Sequence, residues 1–163
     1  MIREASAADI PIIRSIALAT WPVAYHPHIL GIEQLEYMLD LLYSEATLSR
    51  VMSEGQRFLV MDRKGDYVAF ASYTPHYHGT RITHLNKLYV LPQVQGKGAG
   101  KELLLRVMGL ARATGDSHLE LNVNKRNVAI SFYENNGFRI DREEVIDIGS
   151  GYVMDDFVMT MDL

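Results

Sequence analysis

Three glycines at alternate positions, closed by a lysine, carry the clearest chemical signal in this chain. They lie in Gln95-Gly96-Lys97-Gly98-Ala99-Gly100-Lys101. Glycine accepts positive φ and lets backbone come close to a ligand. Where such a turn opens a helix, N–H groups left without acceptors and the positive end of the helix dipole form an anion site. The chemistry read from this stretch is therefore the holding of a phosphate or diphosphate. Two familiar phosphate loops fail on spacing. A P-loop needs four residues between its first glycine and Gly-Lys, then Ser or Thr for magnesium. Here three residues separate Gly96 from Gly100, and Glu102 follows Lys101. A dinucleotide fingerprint needs a third glycine at position 101, where this chain has lysine. A glycine-rich connection with no ligand is the plain alternative.

The elements that must position this loop can be read around it. Ile82 to Val90 is rich in β-branched and aromatic residues and predicts a strand, which Pro92 ends. A helix starting near Gly98 carries Leu103, Leu104, Val107, Met108 and Ala111 at helical spacing. Before them, residues 2–5 predict a short strand. A helix follows from a Ser6 cap, with Asp9 in its first turn, to about Thr20, where Trp21-Pro22 is expected to stop it. A second helix follows Gly31, and a shorter one covers 46–52. Strands are predicted over 58–61 and 67–73, joined by the turn Arg63-Lys64-Gly65-Asp66. Beyond the central helix, residues 117–123 alternate at period two, a half-buried strand. A helix over 128–136 ends at Gly137. A hairpin over 138–148 and 152–161 turns at Gly149-Ser150-Gly151. This order predicts an α/β (α+β) fold in three layers, helices on both faces of a sheet. No repeat or compositional break divides the 163 residues, so a single domain over 1–163 is expected.

Composition narrows the function classes. The chain has 48% apolar and 22% charged residues, ordinary for a soluble protein. No apolar run reaches the roughly 20 residues of a membrane span. Met1-Ile2-Arg3-Glu4 lacks the layout of a secretory leader. Cysteine is absent, which excludes disulfides, thiolate metal sites and a cysteine nucleophile. A net charge of −4 leaves no electrostatic footprint for nucleic acid. A cytoplasmic protein without membrane or nucleic-acid partner is the expectation.

The loop, entered from Leu88-Tyr89-Val90-Leu91-Pro92, resembles the coenzyme-A loop of the GNAT (GCN5-related) N-acetyltransferase superfamily. Asn127-Val128-Ala129-Ile130-Ser131-Phe132-Tyr133-Glu134-Asn135-Asn136-Gly137-Phe138 carries that family's second signature: Asn, Ala two residues on, Phe-Tyr, then Gly-Phe. The strong resemblance covers about residues 82–140. The ending, Val153 to Met159, is similar to the last strand of small bacterial polyamine and amino-group acetyltransferases.

This resemblance implies the GNAT acyl-CoA N-acyltransferase fold, with a mixed, mostly antiparallel sheet splayed between the strands 82–90 and 117–123. It implies acetyl-CoA as acetyl donor, no metal, and direct transfer in a ternary complex to a primary amine of a small molecule, polyamine or amino-acid-like. A protein or peptide acceptor, or a non-catalytic acetyl-CoA-binding module, are the alternatives. A homodimer is a further implication. By carry-over, the amides of Gly96, Lys97, Gly98, Ala99, Gly100 and Lys101 grip the diphosphate after Gln95 opens the loop. The backbone of Leu88, Tyr89 and Val90 faces the cofactor arm. Asn127 bonds that arm, or caps the helix after it. Tyr133 is the acid toward the departing thiolate, or a packed aromatic. Several relatives carry glutamate five residues before the conserved Asn. Here Asn122 stands there and cannot take a proton, which leaves Glu120, His84, His118 or a water as the base.

Three further groups have two readings each. His76, His78 and His84 gather near one hairpin and read as loop or substrate-side histidines rather than metal ligands. The acidic C-terminal hairpin, with Asp155 and Asp156, reads as a solvated face, or as an attractor of a cationic amine. Trp21 and Tyr25 belong either to the wall of the acceptor pocket or to the core.

Overall fold

The computed structural model describes residues 1–163. Its elements run β1 (Ile2–Glu4), α1 (Ile10–Tyr25), α2 (Ile32–Tyr43), α3 (Glu45–Ser53), β2 (Arg57–Arg63), β3 (Asp66–Thr74), β4 (Ile82–Val90), α4 (Ala99–Ala113), β5 (His118–Asn124), α5 (Ala129–Asn135), β6 (Arg139–Gly149) and β7 (Tyr152–Asp162). Seven strands form one sheet in the order β1-β2-β3-β4-β5-β7-β6, antiparallel throughout except for β4 beside β5. No helix is long and apolar enough to cross a membrane.

Strand alternation divides the core between the two sheet faces. On one face Leu59, Ala71, Leu85, Leu121 and Met159 meet Leu103, Leu104, Val107 and Ala111 of α4, with Tyr133 of α5. On the other, Phe58, Val60 and Phe70 meet Ile13 and Ile16 of α1, Leu35 of α2 and Leu48 of α3. Each of these large side chains is closed to solvent, and each such burial contributes about 1.5–3 kcal/mol. The helices on either side therefore clamp the middle of the sheet around β3 and β4.

One expected boundary is corrected. The first helix does not stop at Trp21-Pro22 but runs to Tyr25 with Pro22 inside it. Proline removes one helical hydrogen bond. That loss falls on the solvent side, where Leu18 and Pro22 are exposed. Inward, the Trp21 ring packs at 4.7 Å from Tyr25, 5.5 Å from Tyr43 and 5.8 Å from Tyr89. Packing of the last turn outweighs one missing bond.

The Ser6 start does hold a cap, through a short 3-10 turn at Ala7–Asp9 that leads into α1. The Asp9 carboxylate accepts from the Ser6 amide at 2.9 Å and from the Arg3 guanidinium at 2.7 and 2.9 Å. Arg3 thus ties β1 to the helix start, and holds the Asp9 carboxyl down at about 2. Asp9→Ala should lower unfolding free energy by about 1–2 kcal/mol, the value of a lost cap. Because the folded value lies below the unfolded one, this contribution is complete above about pH 4 and fades as pH falls through 2. Urea unfolding of both proteins at pH 7 and pH 2.5 checks it, with the gap between them expected to narrow at the lower pH.

The feature that matters for function is the β4–β5 junction. Their parallel pairing covers Ile82↔His118, Thr83↔Leu119, His84↔Glu120 and Leu85↔Leu121, and goes no further. At that point β4 changes register against β3: Leu85 faces Tyr73, Lys87 faces Ser72, and Asn86 is the extra residue of a bulge. A bulge bends its strand and sharpens the local twist. The side chain of Thr74 donates to Asn86 Oδ1 at 2.9 Å and pins it. Beyond it, Asn86 to Val90 are all half-buried although the strand is central in the sheet. The two strands diverge there into a cleft.

Candidate active site

The glycine loop stands at the open end of this cleft. After Val90 the chain makes a short 3-10 turn at Pro92–Val94 and reaches Gly96 (φ +77°) and Gly98 (φ +82°), both in the left-handed region. The N–H groups of Gly96, Lys97 and Gly98 find no acceptor within the chain. Those of Ala99, Gly100 and Lys101 are first-turn donors of α4, whose ladder begins with the Glu102 amide on the Gly98 carbonyl at 3.0 Å. A Cβ built on Gly96 or Gly98 would meet nothing within 4 Å, so the space over the loop is open. The loop is held from below: Arg63 donates to the Lys97 carbonyl at 3.3 Å and pairs with Glu102 at 3.2 Å. The Gln95 side chain donates to the Val90 carbonyl at 3.1 Å and bridges loop and strand. The arrangement presents successive amide donors to an anion at a 15-residue helix start.

The second motif lies across the cleft. Asn127 Oδ1 accepts from the Ala129 amide at 2.9 Å and so opens α5, while its side-chain NH2 has no partner in the chain. Tyr133 is 8% exposed and packs edge-on against Phe132 and Phe138. Its hydroxyl makes no hydrogen bond, yet is not among the polar atoms sealed from solvent. Burial first, then the Tyr25 hydroxyl, pushes its pKa up, so it stays protonated across the physiological range. The Tyr133 ring is core, as the packed-aromatic reading expects, and its hydroxyl is left unbonded.

On the α1 face of the cleft, Tyr25 and Tyr89 share a hydrogen bond at 2.8 Å. Trp21 is core, its indole donating to Tyr43 at 3.3 Å, whereas Tyr25 is half-buried. Lys87, just after the bulge, lies over the rings of Tyr43 and Phe58 at 5.4 and 6.0 Å without a carboxylate. Burial lowers it to about 8.

The candidate bases fall in the paired half of the strands. His84 Nδ1 and Glu120 Oε1 are 3.1 Å apart and both residues are buried, with Tyr77 stacked on the imidazole. That imidazole, then its charge, holds the Glu120 carboxyl below its usual range. His118 is half-buried and pairs with Asp162 at 3.2 Å, four residues before Asn122. The three hairpin histidines do not converge: His76 pairs with Asp116 at 2.7 Å, His78 lies tilted against Tyr77, and His84 belongs to Glu120.

One acidic residue departs from the solvated-face reading. Asp155 does face water and pairs with Lys125 at 2.9 Å. Asp156 exposes none of its surface. Its Oδ2 takes only a long 3.5 Å bond from Asn122 of β5, and its Oδ1 has no partner. The signal was present in the alternation: Met154, Asp156 and Val158 share one side of β7, and Val158 is fully buried.

A cavity of about 290 Å³ opens beside the end of β5, walled by Leu30, Gln34, Asn124, Arg126 and Asp155.

The Acetyltransferase (GNAT) family model matches residues 13–138. The chain belongs to the GNAT family. This GNAT protein is therefore an acyltransferase, and its mixed seven-stranded sheet with five helices is the fold of that family. It is similar over its whole length to the PaiA N-acetyltransferase of Thermoplasma acidophilum, solved in complex with coenzyme A, at TM-score 0.83 and 26% identity, covering 100% of this chain and 98% of that one. An uncharacterised N-acetyltransferase of Mycobacterium tuberculosis is 28% identical over 153 residues, 93% of this chain and 96% of its own. The peptidyl-lysine N-acetyltransferase YjaB of Salmonella typhimurium is 38% identical over 71 residues, 42% of this chain and 46% of its own.

Proposed function

We propose that this GNAT protein transfers the acetyl group of acetyl-CoA to a primary amine of a small cationic molecule, polyamine or amino-acid-like, in a ternary complex. The observation that carries the reading is the run of acceptor-free amides from Gly96 to Lys101 at the mouth of the β4–β5 cleft, with the free Tyr133 hydroxyl inside it. These donors and the open space above them fit a diphosphate, and the stretch Asn86–Val90, held by β3 on one edge and free on the edge facing β5, fits an extended amide-bearing arm lying as a false strand. The similarity to a protein solved with coenzyme A supports the same assignment. Acetyl-CoA supplies an activated thioester.

The residues of this chain then have separate tasks. Gln95 to Lys101 hold the anion. Backbone groups at Leu88 to Val90 align the arm, and the free NH2 of Asn127 bonds it. Tyr133 donates its proton toward the departing sulfur. The His84–Glu120 pair, locked together below the cleft, contributes fixed charge rather than a free base. The small acceptor fits the acidic groups on the α1 face, among them Asp156 and Glu144.

The test is free-thiol release from acetyl-CoA across a panel of diamines, polyamines, amino-acid amides and lysine peptides. It is read beside thermal shifts with acetyl-CoA, CoA and ATP. Thiol release with small amines and stabilisation by CoA supports the reading. Stabilisation by ATP alone, or release only with peptides, overturns it.

A further inference from the structure

A buried carboxylate with an unbonded oxygen is rare, because each sealed polar atom without a partner costs free energy. Asp156 is such a group, and it sits one strand from the cleft. Its surroundings are described element by element. From β5 comes the Asn122 amide, at the outer limit of a hydrogen bond. From β6 comes Glu144, its register partner, and along β7 comes Asp155; both are like charges. From α1 comes the Tyr25 phenol, whose own pKa is raised in part by Asp156. No cation pairs with it. Lys125 is taken by Asp155 and Glu143 at 2.9 and 3.1 Å, and Arg142 by Asp141, Glu120 and Glu144. The buried carboxylate is thus left without the positive charge that would balance it.

We propose that Asp156 receives the acceptor ammonium and takes its proton, with Asn122 as the amide gate between it and the cleft. This rests on the N-acetyltransferase reading above. An ammonium with a pKa near 10 is about a thousandth neutral at pH 7, and Asn122 itself cannot accept a proton. The 3.5 Å amide bond is weak enough for an ammonium to replace. Burial first, with Glu144 and Asp155 adding to it and the Asn122 bond opposing, lifts the Asp156 carboxyl to about 6. A base is most effective with its pKa near the working pH. In the balanced step, one ammonium proton passes to Asp156 Oδ1. The nitrogen lone pair forms the N–C bond to the acetyl carbon, and the C–S bond breaks with its pair on sulfur. Tyr133 protonates the sulfur, the second nitrogen proton returns to Tyr133, and Asp156 gives its proton to water.

Three probes are used: spermidine, Nα-acetyl-lysine amide and phenylethylamine. Asp156→Asn should lower kcat/KM for the amine about 100-fold and remove an acidic limb near pH 6 from the wild-type profile. The acetyl-CoA KM should stay within two-fold, and Asp156→Glu should restore part of the rate. A rate within three-fold of wild type, an unchanged limb, or loss of acetyl-CoA binding overturns the proposal. An independent reading uses protein labelled with ¹³C at aspartate carboxyls, the Asp156 signal being assigned by its absence in Asp156→Asn. Added to the CoA-loaded wild type, at least one amine should move that signal and lower its titration midpoint by a unit or more. No movement with all three overturns the assignment even if none of them is acetylated. Amine-induced movement without thiol release keeps it while the acyl-transfer reading falls.

Discussion

Tyr133→Phe is expected to lower kcat about 100-fold and to leave the dissociation constant for acetyl-CoA within two-fold. A positioned general acid contributes about 10²–10⁴ in rate, and the phenol is the protonated group free of any hydrogen bond on the α5 side of the cleft. The substitution removes one oxygen and nothing else. The ring keeps its edge contacts with Phe132 and Phe138, and no protein partner loses a bond. Melting temperature should therefore stay the same or rise, which separates a chemical defect from a folding defect. Pre-steady-state thiol release beside calorimetric titration of acetyl-CoA checks both halves. Equal losses in rate and binding, or no loss in rate, would remove the hydroxyl from the chemistry.

Gly98→Asp is expected to weaken acetyl-CoA about 100-fold, equivalent to about 2.7 kcal/mol, with little change in melting temperature. Gly98 has φ +82° at the cap of α4. Aspartate tolerates that region better than most residues, and its Cβ meets open space. The new carboxylate would stand among the donors of Gly96 to Lys101, where like charge repels a diphosphate. An acidic residue at a helix start is favourable for the helix itself, which offsets the strain of a side chain at this φ, so binding should fall while stability holds. Titration at 50 and 500 mM salt adds a check, since screening should recover part of the loss. Unchanged affinity would mean that the diphosphate lies elsewhere.

The loop and the α5 motif were legible because their information is local. Glycine positions, a proline and an Asn–Ala–Tyr spacing act within a turn or two of chain. The Pro22 stop misled because local propensity weighs one lost bond, whereas Trp21 and Tyr25 are held by partners on α2 and β4. Asn86 gives no sign of a bulge in sequence, since its extra position exists only relative to the register of β3. The split between β4 and β5 was accordingly visible through family likeness and not through any residue pattern. Asp156 was hidden for a related reason. Two adjacent aspartates on a hairpin look solvated, and only the pairing of β7 between β5 and β6 carries one of them inward. Its alternation with Met154 and Val158 was the available clue.

The halted ladder between β4 and β5 has one more consequence. A sheet that stops pairing at its midline leaves two raw backbone edges inside the molecule instead of at its rim. Any extended amide-bearing guest that slots between them supplies the missing rung and welds the two halves of the sheet together. Occupancy then governs mechanical integrity as well as reactivity. A starved copy should breathe along this seam, and a charged copy should behave as one continuous slab.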